Sequence, residues 1–226
     1  MTAPCRFHYR GSPKRDAHSN GRKAKVTSTP LRTLKRVDLP LDTAALARFL
    51  IGKTLVRYAR EGRTSGRIVE AEAYVPGDAS GHAYVGEVDR NRSLFLHRGH
   101  AYVYFIYGMH FCLNVSGERP GIGAGVLLRA LEPIDGVAIM QVRRRVHRLA
   151  DLARGPGRLA EAMAVDRRLD GIDLCARGPL WLATEVRPPG HIATSARIGI
   201  SKETTRLLRF YEAGNPHISG PPALRK

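Results

Sequence analysis

The sequence predicts an α+β fold with a mostly antiparallel sheet, and three observations carry that expectation. Strand-like runs rich in β-branched and aromatic residues recur along most of the chain. Several connections between them are too short for the crossover that parallel strands need. Helical spacing of apolar residues is confined to a short stretch around Leu46 and to the region beyond Pro133. No internal repeat is present. At 226 residues, 43% of them hydrophobic, the chain suits one larger α/β domain or one domain with an appendage. A mean hydropathy of −0.26 is that of a globular protein with a real core.

The elements follow in order. Residues 1–38 carry ten Lys or Arg against Asp16 and Asp38, a local +8 out of the total of +17. With few large apolar residues such a segment cannot offset its ordering entropy, which predicts a flexible basic tail. The domain opens at Leu39. Asp42 is placed to cap a helix over 43–51, with Ala45, Leu46, Phe49 and Leu50 as its apolar stripe and Gly52 closing it. Strands at 54–58 and 66–75 flank a turn at Glu61-Gly62-Arg63. A polar loop, 76–92, holds His82, Arg90 and Asn91. Residues 102–115 read as two strands separated at Gly108, and 124–131 as a buried strand after a loop. A helix with a basic face (Arg143, Arg144, Arg145, Arg148) spans 135–149, and Gly155-Pro156-Gly157 introduces another over 158–164. Short strands follow at 174–175, 180–184, 196–200 and 207–211. The Pro- and Gly-rich end, 214–226, reads as a surface tail.

The charge narrows the partners. A chain of net charge +17 and pI near 10.6 attracts polyanions. Nucleic acid is the leading candidate, because phosphate neutralisation supplies most non-specific binding energy. A membrane surface is the rival, but no apolar run is long enough to span a bilayer and neither end reads as a basic amphipathic helix. No signal-peptide core precedes the domain, which points to a cytoplasmic protein. Cys5, Cys112 and Cys175 are odd in number and widely spaced, which disfavours a disulfide framework or a zinc site and suits a reducing compartment.

Chemistry concentrates in a few places. The turn of the 102–115 hairpin reads Tyr107-Gly108-Met109-His110, apolar and aromatic where a turn is ordinarily polar. Such a tip either packs under a neighbouring loop or is a wedge made to enter something. In Arg67-Ile68-Val69-Glu70-Ala71-Glu72-Ala73-Tyr74, strand alternation sends Ile68, Glu70, Glu72 and Tyr74 one way and Val69, Ala71 and Ala73 the other. Paired carboxylates on one face raise each other's pKa, and a strand-held carboxylate can act as a positioned general base. The alternative is an exposed edge strand with Arg67 as ion-pair partner. Arg129, inside an apolar strand, needs a carboxylate partner, with Glu70 or Glu72 to hand. A lone loop His82 is more often a hydrogen-bonding residue than a catalyst. Backbone N–H groups at Gly155-Pro156-Gly157 with Arg158 suit a phosphate, and equally an ordinary helix cap.

Taken together, RIVEAEAY, His82, Arg90-Asn91, YVYFIYGMHFCLNV, GVLLRALEP and GPGRLAEAM resemble, in order, the alkyladenine (3-methyladenine) DNA glycosylases, over roughly residues 39–217. The resemblance implies a compact domain whose curved antiparallel sheet, flanked by helices, carries a protruding hairpin that enters the DNA minor groove. It implies a monofunctional base-excision enzyme, monomeric and cytoplasmic or nucleoid-associated, acting on damaged double-stranded DNA without cofactor or metal. By that resemblance Glu72 is the general base, Arg129 helps order the catalytic water, and Tyr74, His82, Tyr104, Asn114 and Ile198 form the base pocket. Tyr107 fills the gap left by the flipped nucleotide, while Arg90, Asn91, Met109, Gly157 and Arg158 contact DNA. The chain departs from the family pattern at Val88-Asp89, where Thr-Pro or a similar pair usually precedes Arg-Asn, at His110, where Tyr is common, and at Arg158, where Lys is common. Two rivals remain: a non-enzymatic nucleic-acid-binding protein, and an RNA-modifying or formyltransferase-like accessory domain.

Overall fold

The architecture follows from one long strand. In the computed structural model, which describes residues 31–225, the second strand runs from Gly62 to Tyr74 and is buried over most of its length. We label the strands β1 (Thr54–Ala59), β2 (Gly62–Tyr74), β3 (Ala101–Ile106), β4 (His110–Ser116), β5 (Gly125–Asp135), β6 (Leu180–Ala183), β7 (Ile192–Ser195) and β8 (Arg209–Glu212). The sheet order is β3-β4-β5-β2-β1-β6, and β8 pairs with both β2 and β7. All the pairings are antiparallel.

One edge of β2 lies along β5; the other is divided, with β1 on Gly62–Arg67 and β8 on Glu70–Glu72. To serve two partners on one edge the strand must bend. It does so where the register with β5 shifts, between Ile68 and Glu70 and again between Glu70 and Ala71. Bulges bend a strand and strengthen its twist. The result is a curled antiparallel half-barrel in a single α+β domain. The bulge also corrects the expected alternation. Ile68 packs in the main core with Ala71 and Ala73, and Val69 packs in a second cluster with Ala130, Tyr211 and Ile218. One extra residue changes the parity of everything beyond it. The edge-strand alternative is excluded, because both edges of β2 are paired and Glu70 and Glu72 are fully buried.

Helices close the core. Helix α1 (Thr43–Leu50) begins as expected at Asp42, whose carboxylate accepts the Ala45 N–H at 2.7 Å, and it buries Leu46, Ala47 and Leu50. The helix expected over 135–149 is shorter. Asp135 still belongs to β5, Gly136 turns with φ 68°, and α2 (Val137–Arg144) ends at Arg145, itself left-handed at φ 51°. Its basic face is largely neutralised, because Arg143 pairs with Glu61 and Arg144 with Glu161. Two short helices follow, α3 (Leu149–Leu152) and α4 (Pro156–Ala162), the latter starting on Pro156 because its fixed φ suits a first helical residue.

Three further expectations are corrected. Residues 174–175 and 196–200 are not strands; the strand near the latter is β7, which ends at Ser195 to pair with β8. The end of the chain is not all surface: Ile218 is fully buried and Ser219 nearly so, because both are drawn in by β2 and β8. At the other end, the basic tail over residues 1–30 lies outside the described residues, while 31–38 belong to the domain. There Leu34 is buried, its N–H bonds the Leu182 carbonyl at 3.0 Å, and Arg36 pairs with Asp173.

Leu34→Ala should lower the unfolding free energy in urea by about 2–5 kcal/mol, as for a buried leucine. A change within about 0.5 kcal/mol, the usual effect at the surface, would place Leu34 in a tail after all.

Candidate active site

The bulge assembles a cluster of buried charge. Val69 of β2 and Arg129 of β5 drop out of the ladder at the register shifts. Arg129 therefore projects between two carboxylates, with Nε 3.0 Å from Glu70 Oε1 and one terminal nitrogen 3.1 Å from Glu72 Oε2. Arg209, on β8, donates to Glu70 Oε1 at 2.7 Å. The Ser219 N–H and hydroxyl donate to Glu70 at 2.6 and 2.7 Å. Glu72 accepts the Ile198 N–H at 2.8 Å and faces the Tyr74 hydroxyl at 3.2 Å. Buried ions survive only when so paired.

The two carboxylates are driven apart. Burial alone would raise Glu70, but Arg129, Arg209 and the Ser219 N–H more than reverse it and hold its pKa below the usual carboxylate value. Glu72 is pushed up, chiefly by burial and further by the charge of Glu70, against the pull of Arg129 and the Ile198 N–H. The anion is thus favoured on Glu70 and disfavoured on Glu72. Arg129 loses by burial but gains more from Glu72 and Glu70, so it stays charged. Among the described residues, no group of His, Cys, Asp or Glu converges to hold a metal ion.

Beside this cluster lies a cavity of about 140 Å³, walled by Tyr74, His82, Tyr84, Tyr102, Tyr104 and Asn114 and by the Gly199-Ile200 turn. The His82 ring stands edge-on to Tyr104, centroids 4.4 Å apart, and Tyr102 stacks on Tyr104 at 5.4 Å. His82 Nδ1 is 2.9 Å from the Tyr102 hydroxyl. Burial, then the nearby Arg90 charge, depress the pKa of His82, while burial pushes Tyr102 up to about 12 and raises Tyr74 and Tyr104 as well. The wall is therefore a set of neutral π-faces at ordinary pH, a surface that favours a flat, electron-poor or cationic ring. Behind it, Asp78 and Arg197 form a fully buried ion pair, and the guanidinium lies 4.6 Å from the centre of the Tyr74 ring. That pair ties the loop carrying His82 to the segment carrying Ile198. Glu72 does not line the cavity; Tyr74 and the 198–200 segment stand between.

The hairpin of β3 and β4 resolves the other open question. Its tip does not pack under a loop. Tyr107 is 80% exposed and Met109 67%. Tyr107 and Gly108 have φ of 54° and 66°, the paired positive values of a type I′ turn, closed by the Met109 N–H on the Ile106 carbonyl. A left-handed conformation costs a residue with a Cβ roughly 1–2 kcal/mol. A Tyr held there and exposed is an outlier of the kind that collects at functional sites. Gly157 supports the hairpin from the side, where a Cβ would meet the His110 ring at 3.0 Å. Arg158 and Arg90 are exposed.

The structure thus brings Glu72 and Arg129 together and gathers Tyr74, His82, Tyr104 and Asn114 around one cavity. Ile198 sits at its edge, through the N–H on Glu72. Asn91 is buried, its amide spent on the Val88 N–H and on the carbonyls of His82 and Gly86, so that its side chain holds the His82 loop. Tyr107, Met109, Gly157 and Arg158 lie together at the hairpin, away from the cavity. Sequence reasoning missed Tyr102, Arg197, Asp78, Arg209 and Ser219. Strand alternation had a signal for Tyr102, which shares its strand face with Tyr104. The others are joined only through the tertiary fold.

Comparison with known proteins identifies the family. The family described as "Methylpurine-DNA glycosylase (MPG)" matches residues 38–216. A protein of Mesorhizobium japonicum is 62% identical over 193 residues, covering 85% of this chain and 93% of its own. One from Paraburkholderia phytofirmans is 49% identical over 195 residues (86% and 92%), and one from Methanoculleus marisnigri 43% over 182 (79% and 94%). Each carries the name "Putative 3-methyladenine DNA glycosylase".

The Asp78–Arg197 pair gives a direct test of how the cavity wall is held. Arg197→Met should cost about 3–5 kcal/mol in urea unfolding, because it strands a buried carboxylate. Adding Asp78→Leu should recover part of that loss. A single-variant cost under about 1 kcal/mol would contradict the pair's role.

Proposed function

This chain belongs to the methylpurine-DNA glycosylase family, and we propose that it releases alkylated purines from duplex DNA with Glu72 as the general base. The observation that carries the reading is the pairing of Glu72 and Arg129 directly behind an aromatic cavity. Hydrolysis of an N-glycosidic bond needs a water activated on the sugar side and negative charge close to an oxocarbenium-like centre; one carboxylate supplies both. A carboxylate offers about four acceptor sites. Ile198, Tyr74 and Arg129 take three of those on Glu72, which leaves one on Oε1 for a water.

The cavity then acts on the base. Its neutral rings attract a cationic purine such as 3-methyladenine, whose positive charge also makes it a good leaving group without a general acid. 7-Methylguanine shares that property; hypoxanthine and ethenoadenine are neutral and need more help. A purine reaches the cavity only when flipped from the stack, at a cost of a few kcal/mol. Tyr107, at an exposed and backbone-strained tip, suits the role of a wedge that occupies the gap and offsets part of that cost. Met109, Gly157, Arg158 and Arg90 flank the wedge as DNA contacts. The lysines among the described residues are Lys35, Lys53 and Lys202; Lys53 pairs with Glu185 and Lys202 lies over the outer ring of Tyr84. None adjoins Glu72, which favours a monofunctional enzyme that leaves an abasic site.

Methylated duplex DNA incubated with the protein should yield free 3-methyladenine, with strand breaks only after alkali. No free base would favour a non-enzymatic DNA-binding protein, and breaks without alkali a lyase. Glu72→Gln should abolish release yet keep lesion-DNA binding; excision at the wild-type rate removes Glu72 as base. Glu72 is raised above 4.5, so its basic form is lost as pH falls through a value above that. The acid limb of single-turnover excision should therefore lie above pH 4.5. Tyr107→Ser should weaken lesion affinity, and unchanged affinity would argue against a wedge.

A further inference from the structure

We infer that Ser219 and Glu70 are positioning residues: the C-terminal segment clamps Glu70, and Glu70 sets how the one Arg129 guanidinium is shared with Glu72. The inference rests on the reading of Glu72 as general base. Glu70 accepts four hydrogen bonds, against three on Glu72. It takes the Ser219 N–H at 2.6 Å, the Ser219 hydroxyl at 2.7 Å, Arg209 Nε at 2.7 Å and Arg129 Nε at 3.0 Å. Three of those donors crowd Oε1, two of them guanidinium nitrogens, and the Ser219 N–H holds Oε2. Glu70 is also fully buried and absent from the cavity wall. Two guanidiniums hold it as an anion, and its place in the reaction is as a fixed counter-charge.

Arg129 transmits that charge. Its fork is planar, and all three of its donor nitrogens are engaged: Nε on Glu70, one terminal nitrogen on Glu72 and the other on Ser219 Oγ at 3.3 Å. Ser219 therefore touches both ends of the Glu70–Arg129 pair and nothing of the cavity. The segment is held in turn by Ile218 in the second core cluster and by Arg225, whose Nε donates to the Ile218 carbonyl at 3.2 Å. The charged and titratable groups around Glu72 are Glu70 and Tyr74 from β2, Arg129 from β5 and Arg209 from β8. Among the described residues, Arg197 behind Tyr74, Cys112 of β4 within the field of Arg129, and Tyr104 of β3 beside Tyr74 and Cys112 lie next.

Two variants of the full-length protein should act with opposite sign. In Ser219→Ala, Glu70 loses a donor and draws harder on Arg129. Glu72 then loses part of the pull that favours its charged form, and the acid limb of single-turnover 3-methyladenine release moves up by about half a pH unit. Glu70→Gln removes the like charge beside Glu72 and leaves Arg129 to it alone, so the limb moves down by about one unit. Carbon-13 titration of the Glu72 carboxyl in the DNA-free protein should move the same way, independently of turnover. Opposite shifts support the inference. No shift, or shifts of one sign, overturn it and reduce Ser219 to a structural contact. If Glu70→Gln does not fold, Ser219→Ala decides alone, an upward shift supporting and an unmoved limb and titration overturning. If Glu72→Gln keeps excision, the base reading fails, and the carboxyl titration still decides the positioning claim.

Discussion

The structure depends on keeping four charges buried side by side. Glu70, Glu72, Arg129 and Arg209 are all nearly or fully out of solvent, and leaving any one of them unpaired would cost about 3–5 kcal/mol. The sum of the four is neutral. Their neutrality is useful only if the guanidiniums sit between the carboxylates, and three features of the fold bring that about. Compensating register shifts release Arg129 from the ladder to lie between Glu70 and Glu72, the shared edge of β2 admits β8 with Arg209, and the end of the chain folds back with Ser219.

The same arrangement separates two carboxylates that are chemically identical. Glu70, flanked by two guanidiniums, is held ionised; Glu72, with fewer donors and equal burial, is pushed the other way. Environments that push paired groups apart are how a fold assigns roles at neutral pH. The hairpin has a different task. It contributes Tyr102, Tyr104 and Asn114 to the cavity from its arms and exposes Tyr107 at its tip, while Glu72 comes from β2, on the far side of β5.

Much of this was legible in the sequence, for physical reasons. The apolar turn at Tyr107-Gly108-Met109, the Glu70/Glu72 spacing and the charge at Arg129 are local violations of ordinary patterning, and such violations collect at sites. The helix beginning at Asp42 was legible because its cap is local. The parity of β2 was not, since a bulge depends on which strands pair on each side. Ser219 and Arg209 were hidden for the same reason: a Pro- and Gly-rich end reads as surface until the buried Glu70 it covers is known. The 135–149 stretch looked like one helix because its spacing is helical, and only Gly136 and Arg145, both left-handed, set its true bounds.

The most direct test of the central claim is a crystal structure of Glu72→Gln bound to a duplex carrying a single lesion. The account places the extruded purine between Tyr74, His82 and Tyr104, its sugar facing residue 72, with the Tyr107 ring in the vacated gap of the duplex. A lesion still stacked in the helix, or lodged away from the cavity with Tyr107 clear of the DNA, would contradict it.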